Sequence, residues 1–120
     1  MEKAEFVEMI KLRTKRLAID VIMLYENMRK TDSTRVIGKQ LIHSATSVAA
    51  NYRAACIARS QREFFSKLSI VVEEADETLF WLEILNETKF VSNELLKPLI
   101  GETLELLKIV SKARKSVSSN

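Results

Sequence analysis

The sequence predicts an all-α protein that folds as an antiparallel up-down-up-down four-helix bundle. Only two glycines and one proline occur in 120 residues, which leaves few points at which a helix must end. Apolar residues recur at helical spacing on both sides of residue 60. They are Ile37, Leu41, Ala45, Val48, Tyr52 and Ala55 before it, and Phe64, Leu68, Val71, Ala75, Leu82 and Leu85 after it. Almost no loop separates these two patterns, so the two helices must lie side by side and antiparallel. We interpret residues 1–120 as one domain, since a chain of this length buries a single core.

The first helix is predicted over residues 3–29. Its apolar positions follow a seven-residue repeat made of Phe6, Ile10, Leu17, Val21, Leu24 and Met28, and Arg13 stands where the repeat requires an apolar residue. A polar linker separates it from the second helix, predicted over residues 33–58. Asp32 or Ser33 is the expected N-cap of that helix. Gly38 lies early in it, at a cost of about 1 kcal/mol relative to Ala.

The third helix is predicted over residues 61–87. Ser60 and Glu63 have the spacing of a capping box, in which the serine hydroxyl accepts from the N–H of residue 63 and the glutamate accepts from the N–H of Ser60. The fourth helix is predicted over residues 92–116, with Ser92 or Asn93 as its cap. Pro98 leaves two possibilities: the helix begins near Pro98, or it begins near Ser92 and is kinked. The tail from residue 116 to 120 is expected to fray.

Composition excludes several classes of protein. No run of about 18 apolar residues is present, so we expect neither a transmembrane span nor a membrane partner. The charged stretch from Met1 to Glu5 has no apolar region, so we expect no signal peptide. The single cysteine, Cys56, cannot form a disulfide within one chain, which is typical of the reducing cytoplasm.

Charge is distributed unevenly, although the formal net charge is only +3. Residues 32–62 carry five basic side chains against the single acid Asp32, whereas residues 63–91 carry seven acids against two lysines. One interpretation is a pair of complementary solvated helix faces. The other is that one end of an assembly is basic and attracts a polyanion.

Sequence motifs in the second and third helices resemble those of the bacterial four-helix-bundle proteins known as S23 or ribosomal-RNA intervening-sequence proteins. The matching segments are Ser47 to Ala55, Ala58 to Ser60, Glu63-Phe64, Lys67-Leu68 and Glu73 to Glu83. One departure is that many members have a proline before the Ala-Asn pair and an acid after it, where this chain has Ala49 and Tyr52.

The resemblance implies a four-helix bundle that assembles into a ring of five copies. Some members are encoded inside intervening sequences of large-subunit ribosomal RNA genes. A similar protein, the accessory variability determinant of diversity-generating retroelements, is a basic pentameric barrel that binds a reverse transcriptase and nucleic acid. The resemblance alone does not assign either role to this chain, because a fold does not determine a function.

Residue types that carry catalysis are sparse. His43 is the only histidine, and Cys56 lies about 20 Å from it along the axis of the same predicted helix, too far for a Cys–His pair. A di-metal carboxylate bundle needs Glu-x-x-His on two helices, but Gln40 precedes His43 at that spacing. We therefore predict no catalytic, cofactor-binding or metal-binding residue, and a metal-dependent bundle enzyme is a distant alternative.

Two groups of residues are candidates for an oligomer interface. Ser47 and Asn51 belong to a stripe of mostly small polar residues on the second helix, which also contains Gln40 and Ser44. This stripe is either a tightly packed helix contact with satisfied hydrogen bonds or a subunit interface whose register the polar residues determine. Phe80 and Trp81, with their apolar neighbours, exceed what one apolar stripe can bury, so we interpret Phe80 or Trp81 as a contact with another subunit. The alternative is a core position within one chain.

Basic residues near the predicted corner have two interpretations. Arg53 and Lys67 are expected to pair with the acids of the third helix, in an ion-pair network of Arg53 with Glu73, Glu74, Asp76 and Glu77. Alternatively, basic side chains contact phosphates: Arg59, Arg62 and Lys67 near the corner, with Lys11, Arg13, Lys15 and Arg16 on the first helix. No aromatic residue is interleaved with these clusters, so binding would be directed at the backbone and independent of base sequence.

The sequence thus favours a non-enzymatic, cytoplasmic, homo-oligomeric bundle that interacts with RNA or with an RNA-handling protein. The alternative from another class is a protein–protein scaffold without affinity for nucleic acid.

Overall fold

The computed structural model describes residues 1–118, and within that range the chain forms four α-helices and no β-strand. They are α1 (Lys3–Glu26), α2 (Asp32–Cys56), α3 (Gln61–Thr88) and α4 (Asn93–Ser118). Each helix packs against its neighbours in the chain, and α1 also packs against α4, whereas the backbones of the diagonal pairs do not touch. This arrangement is a four-helix bundle, which confirms the predicted fold class. None of the four helices is long and apolar enough to span a membrane.

Side chains that meet across the bundle show that α1 and α4 are antiparallel. Arg13, near the middle of α1, contacts Glu102 in the middle of α4. Met23, near the end of α1, lines a groove with Leu95 near the start of α4. The two helices therefore run in opposite directions, as short connections between consecutive helices require.

The core lies along the axis of the bundle and contains the apolar stripes of all four helices. Fully buried members include Ile10, Val21, Leu41, Val48, Leu68, Val71, Leu82, Leu85, Leu96, Leu106 and Val110. Phe6, a predicted member of the apolar stripe on α1, is not buried in the core, since it remains 39% exposed. Phe6 lies in the first turns of α1, at the end of the bundle.

The linker between α1 and α2 is organised by threonines rather than by the residues predicted to cap α2. Thr31 is the N-cap, and its hydroxyl accepts from the N–H of Thr34 at 3.1 Å. The Thr34 hydroxyl in turn accepts from the N–H of Thr31 at 2.7 Å, completing a capping box. The prediction of Asp32 or Ser33 was therefore wrong by one or two positions, since both residues already lie inside α2.

The α1–α2 corner begins earlier than predicted and is tightly packed. α1 ends at Glu26, and the side chain of Asn27 donates to the carbonyl of Met23 at 2.8 Å in place of a further helical turn. Gly38 of α2 lies directly against the ring of Tyr25. A side chain at position 38 would overlap that ring, so this glycine permits the close approach of α1 and α2.

The start of α4 lies before Pro98. The carbonyl of Ser92 accepts from the N–H groups of Leu95 and Leu96, and Pro98 lies inside the helix. Proline has no N–H to donate to the carbonyl of Glu94, and both residues are exposed, where solvent can replace that donor. At the other end, α4 continues through the first residues of the tail predicted to fray. Ser119 and Asn120 lie outside the described residues.

Candidate functional site

The corner between α2 and α3 places Arg59 and Arg62 at one end of the bundle. Ser60 is the N-cap of α3, and its hydroxyl accepts from the N–H of Glu63 at 3.0 Å, as predicted. The Glu63 carboxylate, however, accepts from the N–H of Arg59 at 2.9 Å and not from that of Ser60. The predicted reciprocal bond is thus displaced by one residue.

The basic side chains at this corner are largely available to a partner. The Arg59 side chain is 91% exposed, and its Nε lies 3.9 Å from the Glu63 carboxylate, a weak contact. Arg62 and Lys67 take part in none of the ion pairs among the described residues. Three cations on one corner therefore lack a strong carboxylate partner within residues 1–118.

The structure adds residues from the end of α4 to this corner, which sequence reasoning did not identify. Arg62 and Val117 line the same shallow groove with Gln61 and Phe65. Arg114 lies three residues before Val117 and therefore on the same side of α4. The sequence shows that the last turns of α4 are basic. That these turns lie beside the α2–α3 corner follows only from the antiparallel topology. We call Arg59, Arg62, Lys67 and Arg114 the basic end.

The other predicted cluster, on α1, is dispersed around the helix and mostly paired. Lys11 Nζ lies 3.2 Å from the Glu8 carboxylate, and Arg16 Nε lies 3.5 Å from Asp20. Lys15 has no ion pair among the described residues. The four residues therefore do not form one patch in a single chain.

Arg13 joins α1 to α4. Its guanidinium donates two hydrogen bonds to Glu102, at 2.9 Å from Nε and 2.6 Å from Nη2, and Nη2 also lies 2.9 Å from Glu105. Hydrogen bonding to Glu102 raises the pKa of Arg13, although partial burial acts in the opposite direction. This pairing explains how a charged residue occupies the predicted apolar stripe, and it engages the guanidinium that we had assigned to phosphate.

The predicted ion-pair network between α2 and α3 does not form within residues 1–118. None of Arg53, Glu73, Glu74, Asp76 and Glu77 belongs to an ion pair there. Arg53 lines a groove between α1 and α2, and so projects toward the side of α2 that is remote from α3. The pairing is absent among the described residues because the rotation of α2 about its axis turns Arg53 away from these acids.

The two predicted interface residues on α2 are hydrogen-bonded to each other. The side-chain amide of Asn51 donates to the carbonyl of Ser47 at 2.9 Å and to its hydroxyl at 3.0 Å. The buried polar contact between α2 and α3 is made instead by Thr78, whose hydroxyl donates to Ser44 at 2.9 Å. Ser44 donates onward to the carbonyl of Leu41 at 3.0 Å. Ser44 belongs to the predicted polar stripe, but Thr78 was not identified from the sequence.

Phe80 and Trp81 form an aromatic pair on α3. Their ring centroids are 4.9 Å apart with an interplanar angle of 74°, an edge-to-face arrangement. Trp81 packs partly against the core, and its buried Nε1 has no hydrogen-bond partner among the described residues. Phe80 is 48% exposed. Of this pair, Phe80 is therefore the ring that faces the outside of the bundle.

The described residues offer little catalytic chemistry. No three His, Cys, Asp or Glu side chains within residues 1–118 are grouped to hold a metal ion. Burial raises the pKa of the Cys56 thiol, and nearby Lys11 only partly opposes this effect. The thiol is therefore a weak nucleophile at neutral pH.

Comparisons with known proteins agree with this architecture. The sequence model of the family described as 23S rRNA-intervening sequence protein matches residues 9–112. The solved structure of a protein with unknown function from the S23 ribosomal protein family, from Bacteroides thetaiotaomicron VPI-5482, superposes with a TM-score of 0.81. The two sequences are 32% identical, and the match covers 88% of this chain and 98% of that chain. No curated protein matches the chain significantly.

Proposed function

This chain belongs to the family of 23S rRNA-intervening sequence proteins, and we propose that it is a non-enzymatic, homo-oligomeric interaction protein that binds RNA through its basic end. The oligomer that the family resemblance implies is a ring of five copies. We place the protein in the cytoplasm, where a single unpaired cysteine remains reduced.

The observation that carries this proposal is the convergence of cations at the basic end. Arg59 and Arg62 come from the α2–α3 corner, and Arg114 comes from the last turns of α4. None of these three makes an ion pair closer than the 3.9 Å contact of Arg59 with Glu63 within the described residues. A ring of copies would repeat this end around its axis, and repeated phosphate contacts add to the affinity for a polyanion.

The form of binding follows from the side chains that are present. Arginine and lysine at the basic end suit phosphate oxygens, and Phe65 is the only aromatic residue that lines the groove beside Arg62. Stacking on successive bases needs several aromatic platforms. The proposal is therefore recognition of the RNA backbone with little dependence on base sequence.

Fluorescence anisotropy with a labelled single-stranded RNA across a salt series tests this proposal. The test variant replaces Arg59, Arg62 and Lys67 by alanine. Because each neutralised phosphate contributes about 0.7 to the salt slope on a single strand, losing three contacts lowers that slope by about 2. The affinity of this variant for RNA at low salt should also be lower than that of the wild type. The decrease should be the same for RNAs of unrelated sequence.

A matched control removes the same charge elsewhere. The control variant replaces Arg29, Lys39 and Lys97 by alanine; these are exposed residues outside the basic end with no ion pair among the described residues. It should bind RNA nearly as the wild type does, and light scattering should show equal masses for all three proteins. If the two variants lose affinity equally, net charge alone governs binding and the basic end is not the site. No binding by the wild type at low salt refutes RNA recognition.

One observation favours a second candidate, a protein–protein scaffold with no affinity for nucleic acid. The acids of α3 from Glu73 to Glu87 have no cationic partner among the described residues, and such a face repels RNA and suits a basic protein surface. If the protein has the mass of an oligomer but does not bind RNA, the scaffold is the favoured function.

A further inference from the structure

An acidic face with an aromatic centre lies on α3. Between Leu68 and Thr88 the chain has no lysine or arginine. Phe80 is surrounded at spacings of three, four and seven residues, which share one side of a helix, by acids. These neighbours are Glu73, Asp76, Glu77, Glu83 and Glu87. None of them forms an ion pair within residues 1–118. We call Phe80 with these five acids the acidic face.

A basic groove of about 490 Å³ lies between α1 and α2. Its small residues include Ala18, Ala49 and Ala50, which leave room for a side chain from outside. Leu12, which is 68% exposed, adds apolar surface to it. We call this site, with its cationic residues Lys15 and Arg53, the basic groove.

The charges of the basic groove match those of the acidic face. Neither Lys15 nor Arg53 pairs with a carboxylate in the described part of the chain. Lys11 and Glu8, which also line the groove, form an ion pair and so neutralise each other. The net charge of the groove is therefore positive, while the acidic face carries carboxylates only.

The two surfaces cannot meet within one chain. α3 lies diagonally across the bundle from α1, and the backbones of the two helices do not touch. The exposed side of α3 consequently points away from the groove between α1 and α2. A contact between the acidic face and the basic groove requires two molecules.

We propose that the acidic face of one copy docks in the basic groove of a second copy, with Phe80 inserted above Ala49 and Ala50. Carboxylates such as Glu73 and Glu77 then pair with Lys15 and Arg53 of that second copy. The alanine methyl groups donate no hydrogen bond to a phosphate, so the groove suits an aromatic side chain better than RNA. This inference rests on the proposed homo-oligomer and identifies the surfaces that form it.

The proposed contact is heterologous, because it joins two different surfaces. Each copy offers one acidic face and one basic groove, so copies add head to tail until a ring closes. An isologous contact would instead pair the same surface on both copies. This difference makes the proposal testable with single substitutions.

The experiment measures mass by light scattering for two variants and their mixture. Phe80→Asp removes the aromatic centre, and Ala50→Trp fills the groove; both positions are exposed, so folding should be retained and is checked by circular dichroism. Each variant alone should have the mass of one copy. An equimolar mixture should form a complex of two copies and nothing larger, because each partner supplies the one intact surface that the other lacks.

Leu104→Asp is the matched control, since Leu104 is 41% exposed on α4 and lies outside both surfaces. It should assemble as the wild type does. If Ala50→Trp or Phe80→Asp also keeps the wild-type mass, the assigned surfaces are wrong while the homo-oligomer stands. A mixture that fails to form the two-copy complex overturns the heterologous contact. A wild type that is monomeric refutes both this inference and the proposed homo-oligomer, whereas RNA binding is judged separately by anisotropy.

Discussion

Replacing Gly38 by alanine should destabilise the protein, although the same change stabilises most helices. Alanine is favoured over glycine by about 1 kcal/mol in a helix interior. At position 38, however, the added Cβ would overlap Cδ1 and Cε1 of Tyr25 and lie 3.2 Å from Cγ. These are ring atoms of a half-buried side chain, so either the ring or one of the helices must move.

The expected size of the effect follows from what moving the ring disrupts. Lys30 Nζ lies 4.4 Å from the centroid of the Tyr25 ring, a cation–π contact that contributes about 0.5–1 kcal/mol. Overpacking of this type costs about 1–3 kcal/mol. After the gain in helix propensity, we expect a net loss of about 1–2 kcal/mol. The midpoint of thermal unfolding should then be about 4–8 °C lower than that of the wild type.

Gly101 provides the matched control, because it lies inside α4 and an added Cβ would meet nothing within 4 Å. Gly101→Ala should therefore stabilise the protein by about 0.5–1 kcal/mol. Both variants are compared with the wild type by urea denaturation at one protein concentration. A Gly38→Ala variant as stable as Gly101→Ala would refute the close α1–α2 approach. Combining Gly38→Ala with Tyr25→Ala should remove the overlap, so that the two substitutions are not additive.

Two further predictions concern other contacts. Arg13→Ala should lower the free energy of unfolding by about 1–2 kcal/mol, because it leaves the partly buried carboxylate of Glu102 without its hydrogen-bond donors. Urea denaturation measures this change, and an unchanged midpoint would contradict a structural role for the pair. Cys56 should react more slowly with a disulfide reagent at pH 7.5 than it does in the urea-unfolded chain, because burial raises the pKa of its thiol and lowers the thiolate fraction. The rate in the folded protein should still be rising at pH 9, and a plateau reached below pH 8 would contradict the raised pKa.

The helices and the core were predictable from the sequence because their signals are local. Residues such as Leu41 and Val48, which repeat at helical spacing, are buried as the pattern predicts. Helix ends were less predictable, because several neighbouring residues can cap the same end. At α2 the hydroxyls of Thr31 and Thr34 form the capping box, although Asp32 and Ser33 are equally good caps by type.

The candidate sites were less predictable, because a charged side chain has many sequence-compatible partners. Arg53 was expected to pair with acids of α3, yet it lines the groove beside α1. Arg13 interrupted the apolar pattern without an evident reason until α4 supplied Glu102. In both cases the partner depends on which helices are adjacent and how each is rotated about its axis.

The sequence by itself determined that this protein is a four-helix bundle with an apolar core and a basic α2–α3 corner, since periodicity and short connections act between residues close in the chain. Only the tertiary structure decided that Arg13 is bound to α4, that Tyr25 covers Gly38, and that the acids around Phe80 have no partner within the described chain. Those outcomes depend on distances between residues far apart in sequence, which exist only once the helices have packed.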